Sequence, residues 1–176
     1  MQRIVGTITR LDQHTVAVRQ RAQDYWPAGC VHCGRGNLWG HGCYYRKADR
    51  SPAGALNPVA VPRFLCPGCN RTCSRLPACV APRRWFNWAV QQVVLLLLLG
   101  GMSLHACSLC SGRPRRTVGR WWAWLRQRHA QFSFVLRSRR PDWGRQDDMA
   151  AFWRHVIDEV SLTQAMVMLD HELTVP

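Results

Sequence analysis

The spacing of apolar residues changes near Pro82. Before this residue, short runs such as NLWGHGCYYRK and PVAVPRFL alternate between apolar and polar positions, which predicts short strands. After it, apolar residues recur at helical spacing from Trp85 to Leu99, and Gly100 with Gly101 favours a left-handed helix end. The pattern therefore predicts strands in the first part of the chain and helices in the second.

A short helix, a tight turn and a longer helix are predicted next. Ser103 is a candidate N-cap for a helix that ends near Cys110, and residues 111–113 form the predicted turn. Pro114 suits the first turn of the following helix, because the amide hydrogen that proline lacks has no partner there. The order of these elements is typical of a helix-turn-helix.

The longer helix is predicted to be amphipathic. Its inward face carries Val118, Trp121 or Trp122, and Leu125. Its opposite face begins with Arg115, Arg116, Thr117 and Arg120, which could enter the major groove of DNA and contact phosphates or guanine edges. An ordinary helical hairpin with a solvated basic face is the alternative interpretation.

Weaker patterns mark the two ends of the chain. Residues 1–25 alternate as IVGTITRL and HTVAVRQR, which predicts a strand hairpin without an assigned role. A helix is predicted from about Arg145 to Val160, and Ser161 with Gln164 forms a capping box for a last short helix. We expect this tail to pack on the helices before it or to mediate a homodimer.

These elements predict an α+β fold with four segments. They are N-terminal strands over residues 1–25, a small domain of short antiparallel strands over 26–81, a helix-turn-helix domain over 82–140 and a C-terminal helical segment over 141–176. A chain of 176 residues with such a change in composition is expected to form two small cores.

The charge of the chain favours a polyanionic partner. Its 24 Lys+Arg residues exceed its 10 Asp+Glu residues, Lys47 is the only lysine, and no carboxylate lies between Asp49 and Asp142. Such an uncompensated field favours nucleic acid, with an anionic membrane surface as the alternative. The candidate DNA-contacting residues are Arg113, Arg115, Arg116, Thr117 and Arg120 in the helical module, and Arg71, Arg75, Arg83 and Arg84 before it.

Neither a membrane span nor an export signal is predicted. The most apolar stretch, VVLLLLLGGM, is about half as long as a spanning helix and is expected to be a core helix. The first ten residues lack an apolar signal core, and an odd number of cysteines, nine, favours reduced thiols over a disulfide framework. The expected location is the cytoplasm, in association with the nucleoid.

Two Cys-x-x-C pairs predict a metal site. Cys30 and Cys33 precede Cys66 and Cys69, and the two-residue gap in each pair lets two thiolates wrap one tetrahedral ion. Gly34 and Gly68 are expected to supply the permissive backbone of these turns. The pattern predicts one structural Zn²⁺ per chain, so residues 26–81 are predicted to form a zinc ribbon.

Several other potential ligands leave alternatives open. His32 lies inside the first pair, where a side chain usually points away from the metal. His41, Cys43, Cys73 or Cys79 could replace a ligand, or together they could form a second site. The third pair, Cys107 and Cys110, falls in a predicted helix and is expected to serve packing.

The ordered set of motifs resembles a known family. A Cys-x-x-C knuckle, the strand WGHGCYYRK, the segment VPRFLCPGCNRTCSRLP and a helix-turn-helix with RRTVGRWWAWL follow one another. This order resembles the N-terminal DNA-binding part of bacterial insertion-sequence transposases and their small accessory proteins. The resemblance covers roughly Cys30 to Arg128 and implies that Cys30, Cys33, Cys66 and Cys69 bind zinc while the arginine face binds a transposon end. The family often has an aromatic residue in place of Cys73.

The sequence predicts a binding protein rather than an enzyme. Fewer than forty residues follow Arg140, too few for the carboxylate-triad domain with which such transposases cut DNA. We expect a zinc-dependent, sequence-directed protein of a mobile element that binds double-stranded DNA, as an accessory or regulatory factor. The alternatives are a zinc-ribbon adaptor for RNA or a protein partner, and a nuclease or catalytic transposase. The DNA target, the oligomeric state and the existence of a separate catalytic subunit stay open.

Overall fold

The computed structural model describes residues 1–48, 57–82, 85–146, 148–173 and 175. The chain forms two compact units, which comprise residues 1–87 with 173–176, and residues 88–172. The first unit contains a four-stranded sheet, and the second is helical. This mixed composition agrees with the α+β class expected from the sequence.

The sheet of the first unit is built around two antiparallel pairs. Its strands are β1 (Gln2–Val5), β2 (Trp39–Arg46), β3 (Val59–Leu65) and β4 (Thr72–Pro77), in the spatial order β1-β4-β3-β2. β3 pairs antiparallel with both β2 and β4, whereas β1 pairs parallel with β4. The two predicted alternating runs, one after the first cysteine pair and one before the second, are therefore confirmed as strands, and they are neighbours in the sheet.

Apolar side chains cover both faces of this sheet. One cluster includes Tyr25, Phe64 and Cys73, and another includes Val59, Val61 and Leu76. Phe64 lies opposite Cys73 in the ladder, which places both side chains on the same face. The first cluster also contains Cys30 and Cys66, so the cysteine pairs border this core.

The prediction of a strand hairpin over residues 1–25 is wrong beyond Val5. The run HTVAVRQR lies in a helix, α1 (Leu11–Gln20), and a short 3₁₀ helix follows at Ala22–Tyr25. His14 and Ala17 are buried three residues apart, which is a helical spacing, and the His14 Nδ1 atom is hydrogen-bonded to the Tyr25 hydroxyl. The helix also contacts β3, and the local alternation of the sequence does not reveal either interaction.

The helices of the second unit follow the predicted order. They are α2 (Trp88–Leu99), α3 (Leu104–Ser111), α4 (Arg115–Arg139) and α5 (Met149–Asp170). The Ser103 hydroxyl accepts a hydrogen bond from the Ala106 amide at 3.2 Å, as expected of an N-cap. Gly101 has a φ of 90°, which confirms the predicted left-handed helix end, and Gly112, in the predicted turn, has a φ of 64°.

The core of the second unit lies between α4 and its neighbours. Val118, Trp121 and Leu125 are buried, which confirms the predicted inward face and selects Trp121 over the half-buried Trp122. Cys107 is also buried, as its expected packing role requires, whereas Cys110 is exposed.

The last predicted helix is the second segment of α5. Ser161 has φ 66° and ψ 159°, which interrupts the helical backbone inside α5. Its hydroxyl accepts a hydrogen bond from the Gln164 amide at 3.3 Å, as the predicted cap requires. The Leu162 amide donates to Gln92 Oε1 at 2.7 Å, so the kink is attached to α2. The C-terminal helix therefore packs within its own unit.

Candidate metal centre and basic helix

The four cysteines of the two predicted pairs lie together. The Sγ atoms of Cys30, Cys33, Cys66 and Cys69 are all within 4.8 Å of one another. The Cys30–Cys69 and Cys33–Cys66 sulfur pairs are each 3.6 Å apart. Bonds of about 2.3 Å to a tetrahedral ion would place the sulfurs roughly 3.8 Å apart. The cluster could therefore bind one metal ion after only small movements.

The two knuckles have the same backbone structure. In the first, the Cys30 amide donates to the Arg35 carbonyl at 2.8 Å, and the Gly34 amide donates to the Cys30 carbonyl at 2.8 Å. The bonds at the corresponding positions of the second knuckle, around Cys66, are 3.0 and 2.9 Å long. The sequence of each knuckle is Cys-x-x-Cys, one further residue, then arginine. The sequence alone thus shows that the Cys-x-x-Cys motif continues for two more residues, the second of which is arginine in both knuckles.

Glycine has a different role in each knuckle. Gly34 has a φ of 73°, as expected of the permissive position, but in the second knuckle Asn70 has the corresponding left-handed backbone, with a φ of 54°. The prediction that Gly68 supplies the permissive backbone of the second turn is therefore wrong. A Cβ atom at Gly68 would lie 2.7 Å from Cδ of Arg35 and 2.9 Å from its Cζ. Gly68 instead leaves room for the Arg35 side chain against the second knuckle.

The environment of the cluster shifts the pKa values of two of its thiols in opposite directions. The His32 amide donates to the Cys30 Sγ at 3.4 Å and lowers the pKa of that thiol to about 6. Desolvation raises the pKa of the Cys69 thiol to about 12. Four thiolates at this separation repel one another, so a metal ion would have to displace the remaining protons as it binds. The His32 side chain is not among the grouped ligands, in agreement with its expected orientation.

A second metal site receives no support. Within the described ranges, the cluster of four cysteines is the single group of three or more potential ligands. Cys73 is 2 % exposed and packs in the core, and burial raises the pKa of the Cys79 thiol to about 11. His41 and Cys43 lie on β2 and are exposed.

The candidate DNA-contacting residues divide between the two units. Arg115, Arg116 and Arg120 are exposed on the first turns of α4, while Arg113 and Thr117 are half-buried beside them. Arg71 is exposed after the second knuckle, and Arg75 is half-buried on β4. These last two belong to the first unit, whereas the five candidates from Arg113 to Arg120 belong to the second. Arg83 and Arg84 lie outside the described residues.

The start of α4 favours an anion. Its first turn contains Arg115 and Arg116 and no acidic residue. The free amides of a helix N-terminus already carry a partial positive charge, so added arginines are unfavourable there until an anion binds. A backbone phosphate would satisfy both the amides and the guanidinium groups.

Comparisons with known proteins do not assign the chain to a family. No protein-family model matches the chain, and no match to a curated protein or a solved structure is significant. In the described part of the chain, each helix is either too short or too polar to cross a bilayer.

Proposed function

We propose that the protein binds double-stranded DNA through α3 and α4, and that a Zn²⁺ ion in the cysteine cluster stabilises the first unit. The exposed arginines at the start of α4 are the observation that carries this proposal. α3 has 8 residues, three residues connect it to α4, and one of them is the left-handed Gly112. These are the dimensions of a helix-turn-helix, in which the second helix enters the major groove.

The arginines of α4 are arranged along one side of the helix. Arg116 and Arg120 are four residues apart, so their side chains lie one above the other on the exposed face. Val118 and Leu125, on the opposite face, are both fully buried and fix the rotation of the helix about its axis. A guanidinium group on this face could contact a phosphate or the O6 and N7 atoms of guanine.

Carboxylates of the second unit neutralise the other end of α4. Glu172 is 2.9 Å from Arg139, and Asp142 is 3.4 Å from Arg140, whose second carboxylate partner is Glu159 at 3.9 Å. No acidic residue lies within α4 itself. These ion pairs reduce the positive charge at the C-terminal end of α4, whereas the proposed duplex binds at the N-terminal end.

Zinc fits the cysteine cluster by its chemistry. Four sulfur ligands in a tetrahedral arrangement favour Zn²⁺ or an iron centre, and Zn²⁺ needs no redox partner. Four thiolates leave no open position for water or substrate, so the ion would have a structural role and supply no catalysis. The wider assignment, to an accessory or regulatory factor of a mobile element that acts beside a separate catalytic subunit, follows the resemblance in the order of motifs.

Duplex binding is tested by its dependence on salt. Fluorescence anisotropy with a labelled random duplex would be measured from low to physiological salt for the wild type and for Arg115→Ala/Arg116→Ala. Each lost phosphate contact should lower the slope of log K against log salt by about 0.9. Arg145→Ala/Arg154→Ala is a matched control, because both arginines are exposed in the same unit and away from the start of α4.

Equal slopes for the two double variants would contradict this role of α4. A wild-type protein that ignores duplex even at low salt would favour the adaptor alternative. Cleavage of supercoiled plasmid in the presence of Mg²⁺ would favour a nuclease, and we expect none.

A further inference from the structure

A cleft in the first unit lies between α1 and the edge of the sheet. Its volume is about 440 Å³, within the range of small-molecule sites. α1 contributes Thr15, Val18 and Arg19 to one wall, and β2 contributes Cys43 and Tyr45 to the other. The floor includes Ala60 of the neighbouring strand β3.

Two exposed aromatic rings follow this edge of the sheet. Tyr45 is 70 % exposed and Trp26 is 48 % exposed, so part of each aromatic side chain is accessible to a ligand. Tyr45 lies opposite Ala60, whereas Trp26 packs on Phe64 with ring centroids 5.0 Å apart. Ala60 and Phe64 are four positions apart on β3, so they share a face and are separated by about 13 Å.

A glycine on β2 leaves room for the Trp26 ring. A Cβ atom at Gly40 would lie 3.5 Å from the Trp26 ring, so this ring rests on the bare backbone of β2. The ladder between β2 and β3 is irregular between Gly40 and Cys43. Trp26 and Tyr45 thus both remain partly exposed to solvent along this edge of the sheet.

The charges around this surface are positive. Arg19 is exposed at the rim of the cleft. Both carboxylates in the described part of the first unit are engaged by arginine, Asp12 with Arg10 and Asp24 with Arg21. Burial lowers the pKa of His14, so this residue of the cleft is neutral at pH 7. A ligand that carries negative charge and flat apolar rings is therefore complementary to Arg19 and to the exposed aromatic side chains.

We propose that this cleft and its aromatic edge bind unpaired nucleotides of a single-stranded nucleic acid. One base stacks on Tyr45 in the cleft, Arg19 contacts the adjacent phosphate, and a neighbouring base stacks on Trp26. Stacking needs an exposed base face, which a duplex covers with the neighbouring base pairs. This activity is additional to duplex binding by α4 and uses residues of the other unit.

The test uses the metal-loaded full chain and labelled dT12 and rU12 oligonucleotides. Tyr45→Ala should weaken binding at least about fivefold, the lower end of the contribution of one stacked base. Tyr45→Phe, which keeps the ring, should bind as the wild type does. Arg19→Ala should lower the salt slope by about 0.7, the value for one phosphate of a single strand. Val16→Ala is the control, because Val16 is exposed on α1 but does not line the cleft.

Several outcomes would overturn the proposal. The first is a wild-type affinity of Tyr45→Ala for dT12. The second is an equal loss of affinity in Tyr45→Ala and Tyr45→Phe. The third is displacement of labelled dT12 by an acidic peptide as readily as by unlabelled dT12. An equal loss of duplex binding in Tyr45→Ala would also refute it, because the cleft would then not select unpaired bases. The single-strand result is independent of the α4 experiment, since a chain that ignores duplex could still bind dT12 through Tyr45. Binding of either oligonucleotide supports the proposal, and a difference between them identifies the preferred sugar.

Discussion

Replacing Cys66 with serine is expected to release the metal and to unfold the first unit. Cys66 is fully buried, its sulfur is 3.6 Å from that of Cys33, and its amide is bonded to the Arg71 carbonyl at 3.0 Å. The substitution removes one of four sulfur ligands and leaves a buried hydroxyl among the other three thiols. Both changes disfavour the folded, metal-loaded state.

The size of the effect follows from the stability of such sites. A structural zinc contributes about 10–16 kcal/mol of apparent binding free energy in small zinc-dependent peptides. One ligand in four corresponds to roughly 3 kcal/mol, or about a hundredfold in metal affinity. Small domains are stable by only about 5–15 kcal/mol in total, so removal of the whole ion should leave the first unit unfolded.

Metal content and hydrogen exchange measure the two consequences separately. We expect one zinc per chain in the wild type, substoichiometric zinc in Cys66→Ser, and fast amide exchange in β3 and β4 after chelation. α4 is the internal reference, because Val118 and Leu125 are buried within the other unit. Cys43→Ser is the matched control, an exposed cysteine of the same unit outside the cluster.

Two results would refute this reasoning. Loss of zinc in Cys43→Ser as large as in Cys66→Ser would show that the ligand set is wrong. Slow exchange in β3 and β4 after complete removal of the metal would show that the apolar core alone holds the sheet.

Three further predictions concern the second unit and use chemical or thermal unfolding. Gly112→Ala should lower the free energy of unfolding by about 1 kcal/mol, because its φ is 64°, whereas Gly144→Ala, without positive φ or close neighbours, should be nearly neutral. Ser161→Gly should raise the free energy of unfolding by about 1 kcal/mol, because the relief of backbone strain at a φ of 66° outweighs the loss of the cap. A destabilised variant would contradict this prediction. Burial and then the charge of Arg137 lower the pKa of His129, so the folded state binds this proton less tightly than the unfolded state does. Stability should therefore fall as the pH drops below 6.5, the ordinary pKa of histidine, and His129→Gln should reduce that dependence.

Local signals in the sequence are enough to predict the helices from α2 to α4. The Ser103 cap and the left-handed Gly112 are properties of a few neighbouring residues, and they set the ends of α3 whatever packs around it. The cysteine cluster could be predicted for a similar reason, because the spacing of each pair determines its turn.

Features that depend on distant contacts were not predictable in the same way. α1 contains the β-branched residues Thr15, Val16 and Val18, whose alternation favours a strand, yet the buried side of α1 is defined by its contact with β3. The parallel pairing of β1 with β4 joins residues more than seventy positions apart. The cleft at Tyr45 is lined by residues of α1, β2 and β3, so no single segment of the sequence indicates it.

The position of the knuckles has a consequence for the hairpin of β2 and β3. Trp39 pairs with Leu65, so the last rung of this ladder lies immediately before Cys66, at the end remote from the connection between Arg46 and Val59. The cysteine cluster at this end of the hairpin therefore fixes the register of β2 against β3. A shift of that register by one residue would turn every side chain of a strand to the opposite face of the sheet. The connection between Arg46 and Val59 is then not needed to fix the register. Its length could change in evolution or by design while β2 and β3 keep the same pairing.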